Sequence, residues 1–150
     1  MKYYKGRFSP KNPSKYVGDP TNIIFRSLWE LKVMKYLDEN TNVLEWRSEE
    51  IAIPYVSPVD NRYHRYFPDF IIKVRVSENK SQMMMIEVKP KAQTKEPVKK
   101  KKITKQYITE VTTWGVNQAK WKAAEEYCLD RGWTFKILTE DEIFKNDKKK

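Results

Sequence analysis

Two short segments decide the fold of this chain. They are Phe67-Pro68-Asp69-Phe70-Ile71-Ile72 and Ile86-Glu87-Val88-Lys89-Pro90, in which Glu87 follows Asp69 by eighteen residues. Both segments are patterned as strands. Alternate side chains of a strand share a face, so Glu87 and Lys89 project side by side. With Asp69 supplied by a neighbouring strand, the pattern predicts a site for a hard divalent cation and an attacking water.

Length and composition indicate one soluble domain. The chain has 150 residues, of which 39% are hydrophobic and 33% are charged. A stretch of ~18 apolar residues, the length needed to cross a bilayer, is absent, so we expect no membrane association. The N-terminus lacks the apolar region of a secretion signal. The single cysteine, Cys128, cannot form an internal disulfide, and we assign it no chemistry.

The positive charge is concentrated in three segments. Of the net charge of +10, residues 1–15 contribute +5, residues 91–105 contribute +6 and residues 145–150 contribute +3, so the remaining body carries −4. Basic segments on a slightly acidic body favour a polyanionic ligand, because each lysine–phosphate contact releases counterions. The alternative is that the lysines only keep the protein soluble.

The N-terminal third predicts an arm followed by a helix. Residues 1–20 show no periodicity and read as an extended basic arm, which lies along nucleic acid or wraps its own domain. Asp19-Pro20 predicts a helix start, and the helix is expected to run to about residue 38. Glu30 falls within its apolar arc, where an unpaired carboxylate is costly. The arc comprises Ile23, Ile24, Ser27, Leu28, Leu31, Met34 and Leu37.

Three strands are expected next. The first ends near Pro54, the second runs from 62 to 76 through Pro68, and the third covers 82–89 after a hairpin loop at 77–80. In the third strand Glu87 shares a face with Met83, Met85 and Lys89. We expect the methionines to pack in the core rather than bind metal, because thioethers suit soft metals.

The last third predicts a basic loop at 91–105, a helix from about 103 to Gly132, a strand at 133–138 and a short helix at 139–144. The helix face is marked by Val116, Ala119, Ala123 and Tyr127. The element order is α, β, β, β, α, β, an α/β fold with a mixed β-sheet flanked by helices. The expected organisation is an arm over 1–20, one domain over 21–144 and a basic tail over 145–150.

The acids predict metal-assisted hydrolysis of a phosphodiester. Asp69, Glu87 and the carbonyl of Val88 would hold Mg²⁺, and Glu30 would bind a second ion or a water of the first. Lys89 would orient the water or help to deprotonate it. Each signal has a plainer explanation: Pro-Asp occurs in turns, Glu-x-Lys occurs on exposed strands, and Glu30 could pair with Lys89. Their joint occurrence in this order favours the metal site.

The same residues carry a family resemblance. The chain resembles PD-(D/E)XK nucleases of the group that includes phage Holliday-junction resolvases and TnsA-type transposase endonucleases. Phe25-Arg26-Ser27-Leu28-Trp29-Glu30 is similar to their R-S-x-x-E opening, and Pro68-Asp69 and Glu87-Val88-Lys89 match the remaining motif. The resemblance implies a restriction-endonuclease-like core and Mg²⁺ as cofactor, with Mn²⁺ able to substitute.

Longer stretches resemble the head-completion nucleases of large contractile-tailed phages. They are Gly18-Asp19-Pro20-Thr21-Asn22-Ile23, Tyr66-Phe67-Pro68-Asp69-Phe70 and Asn117-Gln118-Ala119-Lys120-Trp121-Lys122-Ala123-Ala124-Glu125. This resemblance implies exo- and endonuclease activity on double-stranded DNA, and a role in finishing the packaged head before the tail joins. It also implies head, portal or neck proteins as partners, in the virion and the host cytoplasm. A monomer or weak oligomer is expected, because no dimerisation segment is evident.

Several residues are candidates for DNA contact. In related nucleases the helix after the Glu-x-Lys strand supplies a Gln or Lys near the cut phosphate, which indicates Gln118 and Lys120. His64 and Arg65 lie in a basic and aromatic strand, where His64 would contact phosphate, act as an auxiliary base or simply be exposed. The lysines of the loop complete the set: Lys99, Lys100, Lys101 and Lys102.

Two other functions stay open at this point. One is a DNA-binding structural protein of the virion on a nuclease fold, although such a protein gains nothing from acids facing phosphate. The other is a Holliday-junction resolvase, which predicts a preference for four-way junctions.

Overall fold

The computed structural model describes residues 3–99 and 101–145 of the chain. Lys100 and most of the basic tail, residues 146–150, lie outside the described residues. The helices and strands are β1 (Tyr3–Phe8), β2 (Ile23–Ser27), α1 (Leu28–Glu39), β3 (Val43–Ser48), β4 (Ile53–Val56), β5 (Tyr63–Tyr66), β6 (Phe70–Ser77), β7 (Lys80–Val88), α2 (Lys105–Arg131), β8 (Thr134–Leu138) and α3 (Glu140–Ile143).

Within the described ranges, four strands form a mixed sheet in the order β3-β6-β7-β8. β3, β6 and β7 pair antiparallel, whereas β8 is parallel to β7. The parallel pair requires a crossover, which α2 supplies. Two antiparallel ribbons, β1-β2 and β4-β5, complete the strand pairing. The predicted α/β class, with a mixed sheet flanked by helices, is confirmed.

The sheet separates two apolar layers. Phe70 and Ile72 of β6 pack in the layer that contains α1, and Ile71 between them packs in the layer that contains α2. β7 alternates in the same way: Ile86 faces the α1 layer and Met85 faces the α2 layer. This two-residue period is the one predicted for the third strand. The methionines pack against apolar neighbours, as expected.

The predicted start of the first helix is wrong. α1 begins at Leu28, and the segment before it is strand β2. The Ser27 hydroxyl accepts a 3.1 Å hydrogen bond from the Glu30 N–H and therefore caps the helix. Asp19 instead closes a local turn by accepting from the Thr21 N–H at 2.9 Å. The apolar arc holds only in its second half, where Met34 and Leu37 are buried while Leu28 is half exposed.

The prolines divide the predicted strands. The segment expected to end near Pro54 is two strands, β3 and β4, separated by a turn at Glu49 with φ of +52°. Pro54 lies within β4, where an unpaired edge tolerates a residue without an N–H. Pro68 likewise separates β5 from β6, because it cannot extend a hydrogen-bonded ladder. The hairpin between β6 and β7 lies at the predicted turn.

The described part of the N-terminal arm packs on its own domain. β1 pairs with β2. The sequence periodicity did not predict β1, because a bulge before Gly6 interrupts its register. Beyond it, the N–H groups of Lys11 and Asn12 donate to the buried Asp38 carboxylate at 2.8 and 3.0 Å. The Lys15 ammonium caps α1 by donating to the Leu37 carbonyl at 2.7 Å. These lysines are held by the protein itself.

The second long helix ends as predicted. Gly132 follows α2 with φ of +70°, the left-handed conformation that glycine adopts without steric cost. The buried stripe lies close beside the predicted face and comprises Asn117, Trp121, Ala124 and Cys128. Burial raises the pKa of the Cys128 thiol to about 11, so it stays protonated. No helix in the described ranges meets the length and hydrophobicity that a membrane span requires.

Candidate active site

Asp69 and Glu87 lie opposite each other on the sheet face that packs against α2. The β6–β7 register pairs Phe70 with Ile86, and one step further it places Asp69 beside Glu87. Directly opposed side chains of antiparallel strands have Cβ atoms roughly 5 Å apart. A bulge between Arg75 and Ser77 sets this register. Without it the pairing would slip by one residue, and the two acids would point to different faces.

Two hydrogen bonds from aromatic side chains hold the Glu87 carboxylate, which is only 5% exposed. The Tyr66 hydroxyl donates to Glu87 Oε2 at 2.5 Å, and the Trp121 indole N–H donates to the same oxygen at 3.3 Å. Oε1 is therefore not used by either donor. A buried carboxylate fixed through one oxygen presents the other in a defined direction, as a metal ligand requires.

Asp69 is tied to the next strand by a backbone bond. The Val88 N–H donates to Asp69 Oδ2 at 2.7 Å. The N–H and C=O of a strand residue point to the same side, so the Val88 carbonyl also faces the Asp69 segment. Burial raises the pKa of the Asp69 carboxyl, and the charge of Glu87 and a hydrogen bond to its carboxyl raise it further. A cation near the two carboxylates would compensate this repulsion.

Glu30 approaches the pair from the other element of the motif. It occupies the first turn of α1, and its Oε1 accepts from the Arg26 N–H at 3.4 Å. Burial raises the pKa of this carboxyl, and the charges of Glu49 and Glu87 add to the rise, while the Arg26 bond lowers it. The charge of Glu87 is thus one of the causes of the raised pKa of Glu30, and a shared metal site remains a prediction of the motif.

An ion pair that the sequence did not reveal borders the acids. The Arg26 guanidinium binds the Glu49 carboxylate, and the Glu49 N–H donates to the Asp69 carbonyl at 3.3 Å. Glu49 thus connects the segment before α1 to the segment before β6. The one local mark of this ion pair is the left-handed backbone of Glu49, which cannot be seen in the sequence. Tyr66 and Trp121 were also missed, since they read as ordinary core aromatics.

Two ammonium groups lie on the same side as Glu87. Lys89 is two residues further along the chain, where the Leu138 carbonyl accepts from its N–H at 3.0 Å. Lys120 of α2 lies 5.8 Å from the centroid of the Tyr66 ring. Burial lowers the pKa of Lys120, the charge of Lys89 lowers it further, and Glu87 and Asp69 oppose this. The charges of Lys89, Glu87 and Asp69 therefore all act on the Lys120 ammonium.

The donor set suits a magnesium ion with few protein ligands. Over residues 3–99 and 101–145, no three side chains of the His, Cys, Asp and Glu types lie close enough to form a metal cage. Mg²⁺ does not require one, because it is commonly held by one or two carboxylates, waters and substrate phosphate. Asp69, Glu87 and the Val88 carbonyl offer such a set. The repulsion that raises the pKa of Asp69 indicates where a cation would be stabilising.

The other described candidates for DNA contact are exposed side chains. Gln118 is exposed on α2, and the described loop lysines, Lys99, Lys101 and Lys102, are exposed as well. His64 is exposed and bonded to Asp60, with the ring nitrogen 2.8 Å from the carboxylate. That pairing favours the exposed-histidine interpretation over a role as base. Arg65 is exposed and extends over the Phe67 ring at 5.8 Å.

The candidate acids do not line the groove between α1 and the sheet. This groove has a volume of about 620 Å³ and is lined by Val33, Leu37, Ile72, Met84 and Leu138 among others.

Comparison with known proteins decides the family. A family model described as "TnsA-like endonuclease N terminal" matches residues 40–140. The chain belongs to this family. The matched range includes the segments of this chain that contain Asp69 and Glu87. Glu30 lies before the start of the match. The "Head completion nuclease" of Enterobacteria phage T4 is 42% identical to the chain over 142 residues, which cover 92% of each protein. The resemblance inferred from the motifs is confirmed.

Proposed function

We propose that the protein is a divalent-metal-dependent deoxyribonuclease that hydrolyses phosphodiester bonds of double-stranded DNA. The observation that carries this proposal is the opposed Asp69–Glu87 pair, which shares a face with Lys89 beside the carbonyl of Val88. Carboxylates this close are costly without a cation, and a purely structural DNA-binding protein would gain nothing from them.

The chain's own groups have separate tasks in this proposal. Asp69, Glu87 and the Val88 carbonyl would hold the ion, and Glu30 would hold a second ion or a water of the first. When bound, Mg²⁺ or Mn²⁺ supplies charge compensation for the phosphate and lowers the pKa of a coordinated water. Tyr66 and Trp121 fix Glu87, whereas Lys89 orients the water and offsets phosphate charge. As the water oxygen bonds to phosphorus, the water loses one proton to solvent with the help of Lys89. The bond to the leaving oxygen breaks, and that oxygen takes a proton from solvent.

The biological setting of the proposal comes from the T4 relative, whose name describes a nuclease of head completion. We propose that this protein acts on phage DNA when the packaged head is finished, with both exo- and endonuclease activity. Head, portal or neck proteins would be its partners, in the host cytoplasm and in the virion. A monomer or weak oligomer is proposed as the working form, and the one-domain organisation over 21–144 is part of the same proposal.

Cleavage of matched substrates tests the proposal. Linear duplex, closed circular duplex and a four-way junction are incubated with the protein at one salt concentration, with Mg²⁺, with Mn²⁺ and with a chelator. We expect both cations to support cleavage of linear and circular duplex, and the chelator to abolish it. DNA binding without cleavage in every cation would favour a structural protein. Cleavage restricted to the junction would favour a resolvase.

A further inference from the structure

The β4–β5 ribbon presents an aromatic and basic outer face next to the acids. Its register pairs Ile53 with Tyr66 and Pro54 with Arg65, so successive pairs point to opposite sides. The inner residues Ile53, Tyr55 and Tyr66 pack with Trp121 of α2. The outer residues, which have no such cover, are Pro54, Val56, Tyr63 and Arg65.

The aromatic side chains of this face are exposed to solvent. Tyr63 is 79% exposed and Phe67, just beyond the strand, is 42% exposed. The Arg65 guanidinium lies between them in sequence and reaches over the Phe67 ring. None of the four outer residues is acidic, and the Asp60 carboxylate is paired with the His64 ring.

The face leads directly to the candidate active site. Tyr66 bonds Glu87 from inside the same strand, and Asp69 follows Phe67 by two residues. Six residues separate Tyr63 from Asp69, which is at most roughly 20 Å of extended chain. A strand of DNA with bases spaced 3.4 Å apart covers that distance with about six nucleotides.

Exposed aromatic rings beside a guanidinium bind unpaired bases. Each base offers a π-face that stacks on an aromatic side chain, and the guanidinium compensates the backbone charge. Bases inside an intact duplex are already stacked on each other and cannot use such rings. We propose that the outer face of the β4–β5 ribbon, through Tyr63 and Phe67 with Arg65, binds the single-stranded segment at a DNA end. This proposal rests on the proposed nuclease function, whose substrate it refines.

Binding to matched DNA ends tests the proposal. Labelled duplexes, one blunt and one with a single-stranded overhang of about six nucleotides, are titrated in chelator so that no cleavage occurs. The variants are Tyr63→Leu and Phe67→Leu, which keep apolar bulk but remove the ring. Tyr36→Leu is the control, because Tyr36 is a 59% exposed tyrosine on α1, in the layer on the other side of the sheet.

We expect the unmodified protein and Tyr36→Leu to prefer the overhang. Tyr63→Leu and Phe67→Leu should each lose roughly 5- to 150-fold in affinity for the overhang DNA, with blunt-duplex binding changed less than about twofold. Equal affinity of the variants and the parent for both DNAs would overturn the proposal. That result would favour a protein partner for this face. An equal loss on both DNAs would also overturn it. Cleavage of blunt duplex in Mg²⁺, measured in parallel, tests the nuclease function separately.

Discussion

The Val88 N–H donates a 2.7 Å hydrogen bond to Asp69 Oδ2, which joins the Pro-Asp segment to the Glu-x-Lys segment. The bond uses Asp69 Oδ2 and not Oδ1, and the strand backbone of Val88 directs its carbonyl to the same side as its N–H. Three oxygens that suit a hard cation are therefore arranged by two neighbouring strands rather than by a flexible loop. The proposed function depends on this arrangement.

Loss of the Tyr66 hydroxyl is expected to slow cleavage. Tyr66→Phe removes one of the two donors to Glu87 Oε2, and a hydrogen bond to a charged group contributes about 1.5–3 kcal/mol. We expect the single-turnover cleavage rate to fall roughly tenfold or more, with DNA affinity unchanged. Tyr36→Phe on α1 is the control. An unchanged rate in Tyr66→Phe would show that Glu87 needs no fixation.

The Arg26–Glu49 pair should be energetically coupled. Both side chains are partly exposed, so a coupling of about 0.5–1 kcal/mol in the free energy of unfolding is expected. A double-mutant cycle with Arg26→Gln and Glu49→Gln, measured by denaturant unfolding, gives this value. The Lys11–Glu39 pair, which is far more exposed, should give nearly zero in the same cycle. Strict additivity for Arg26 and Glu49 would contradict the structural connection.

The Lys120 ammonium is expected to contact the DNA backbone. It lies above Tyr66 and near Lys89, so its positive charge adds to that of the proposed catalytic lysine. Lys120→Met should weaken DNA binding and reduce the slope of log affinity against log salt by about one. Lys122→Met, at an exposed position two residues away, is the matched control. Equal slopes for the two variants would remove Lys120 from the interface.

The metal-free protein should lose stability as pH rises. The native pKa of Asp69 lies above the ordinary value of 3.8, so over the interval between the two the folded chain keeps a proton that the unfolded chain has lost. The free energy of unfolding is then highest at and below the ordinary value and falls as pH rises through the native pKa.

Asp69→Asn removes this dependence and is expected to stabilise the metal-free protein at neutral pH by about 1–2 kcal/mol, as replacements of strained functional residues commonly do. The difference should shrink as pH approaches 4. Thermal unfolding in chelator across this range checks it, with Asp130→Asn, at an exposed position, as control. Identical pH profiles for Asp69→Asn and the parent would contradict the raised pKa.

Local patterns predicted the strands and the face that carry the acids. Alternation along 82–89 placed Glu87 with Met85 and apart from Ile86, and the structure agrees because each face meets a different apolar layer. The helix stop at Gly132 was equally local. Such features depend on the chain within a few residues, which is the range that periodicity and capping rules describe.

Features set by distant contacts were not predictable. The bulge at Val76 sets the register in which Asp69 faces Glu87. The residues Arg75-Val76-Ser77 contain no sequence pattern that predicts a bulge. The β2 strand was read as helix because its apolar residues also fit a helical period, and only pairing with β1 resolves the ambiguity. Glu49 reaches the site through a left-handed turn. In each case the deciding interaction joins segments far apart in sequence.

Single-turnover cleavage of duplex DNA by Asp69→Asn tests the central claim most directly. The asparagine preserves the shape of the side chain and can still accept from the Val88 N–H, but it lacks the charge that a cation requires. We predict a cleavage rate at least about 100-fold below that of the parent in Mg²⁺, with DNA affinity in chelator unchanged and Asp130→Asn fully active. A cleavage rate in Asp69→Asn equal to that of the parent would contradict the account.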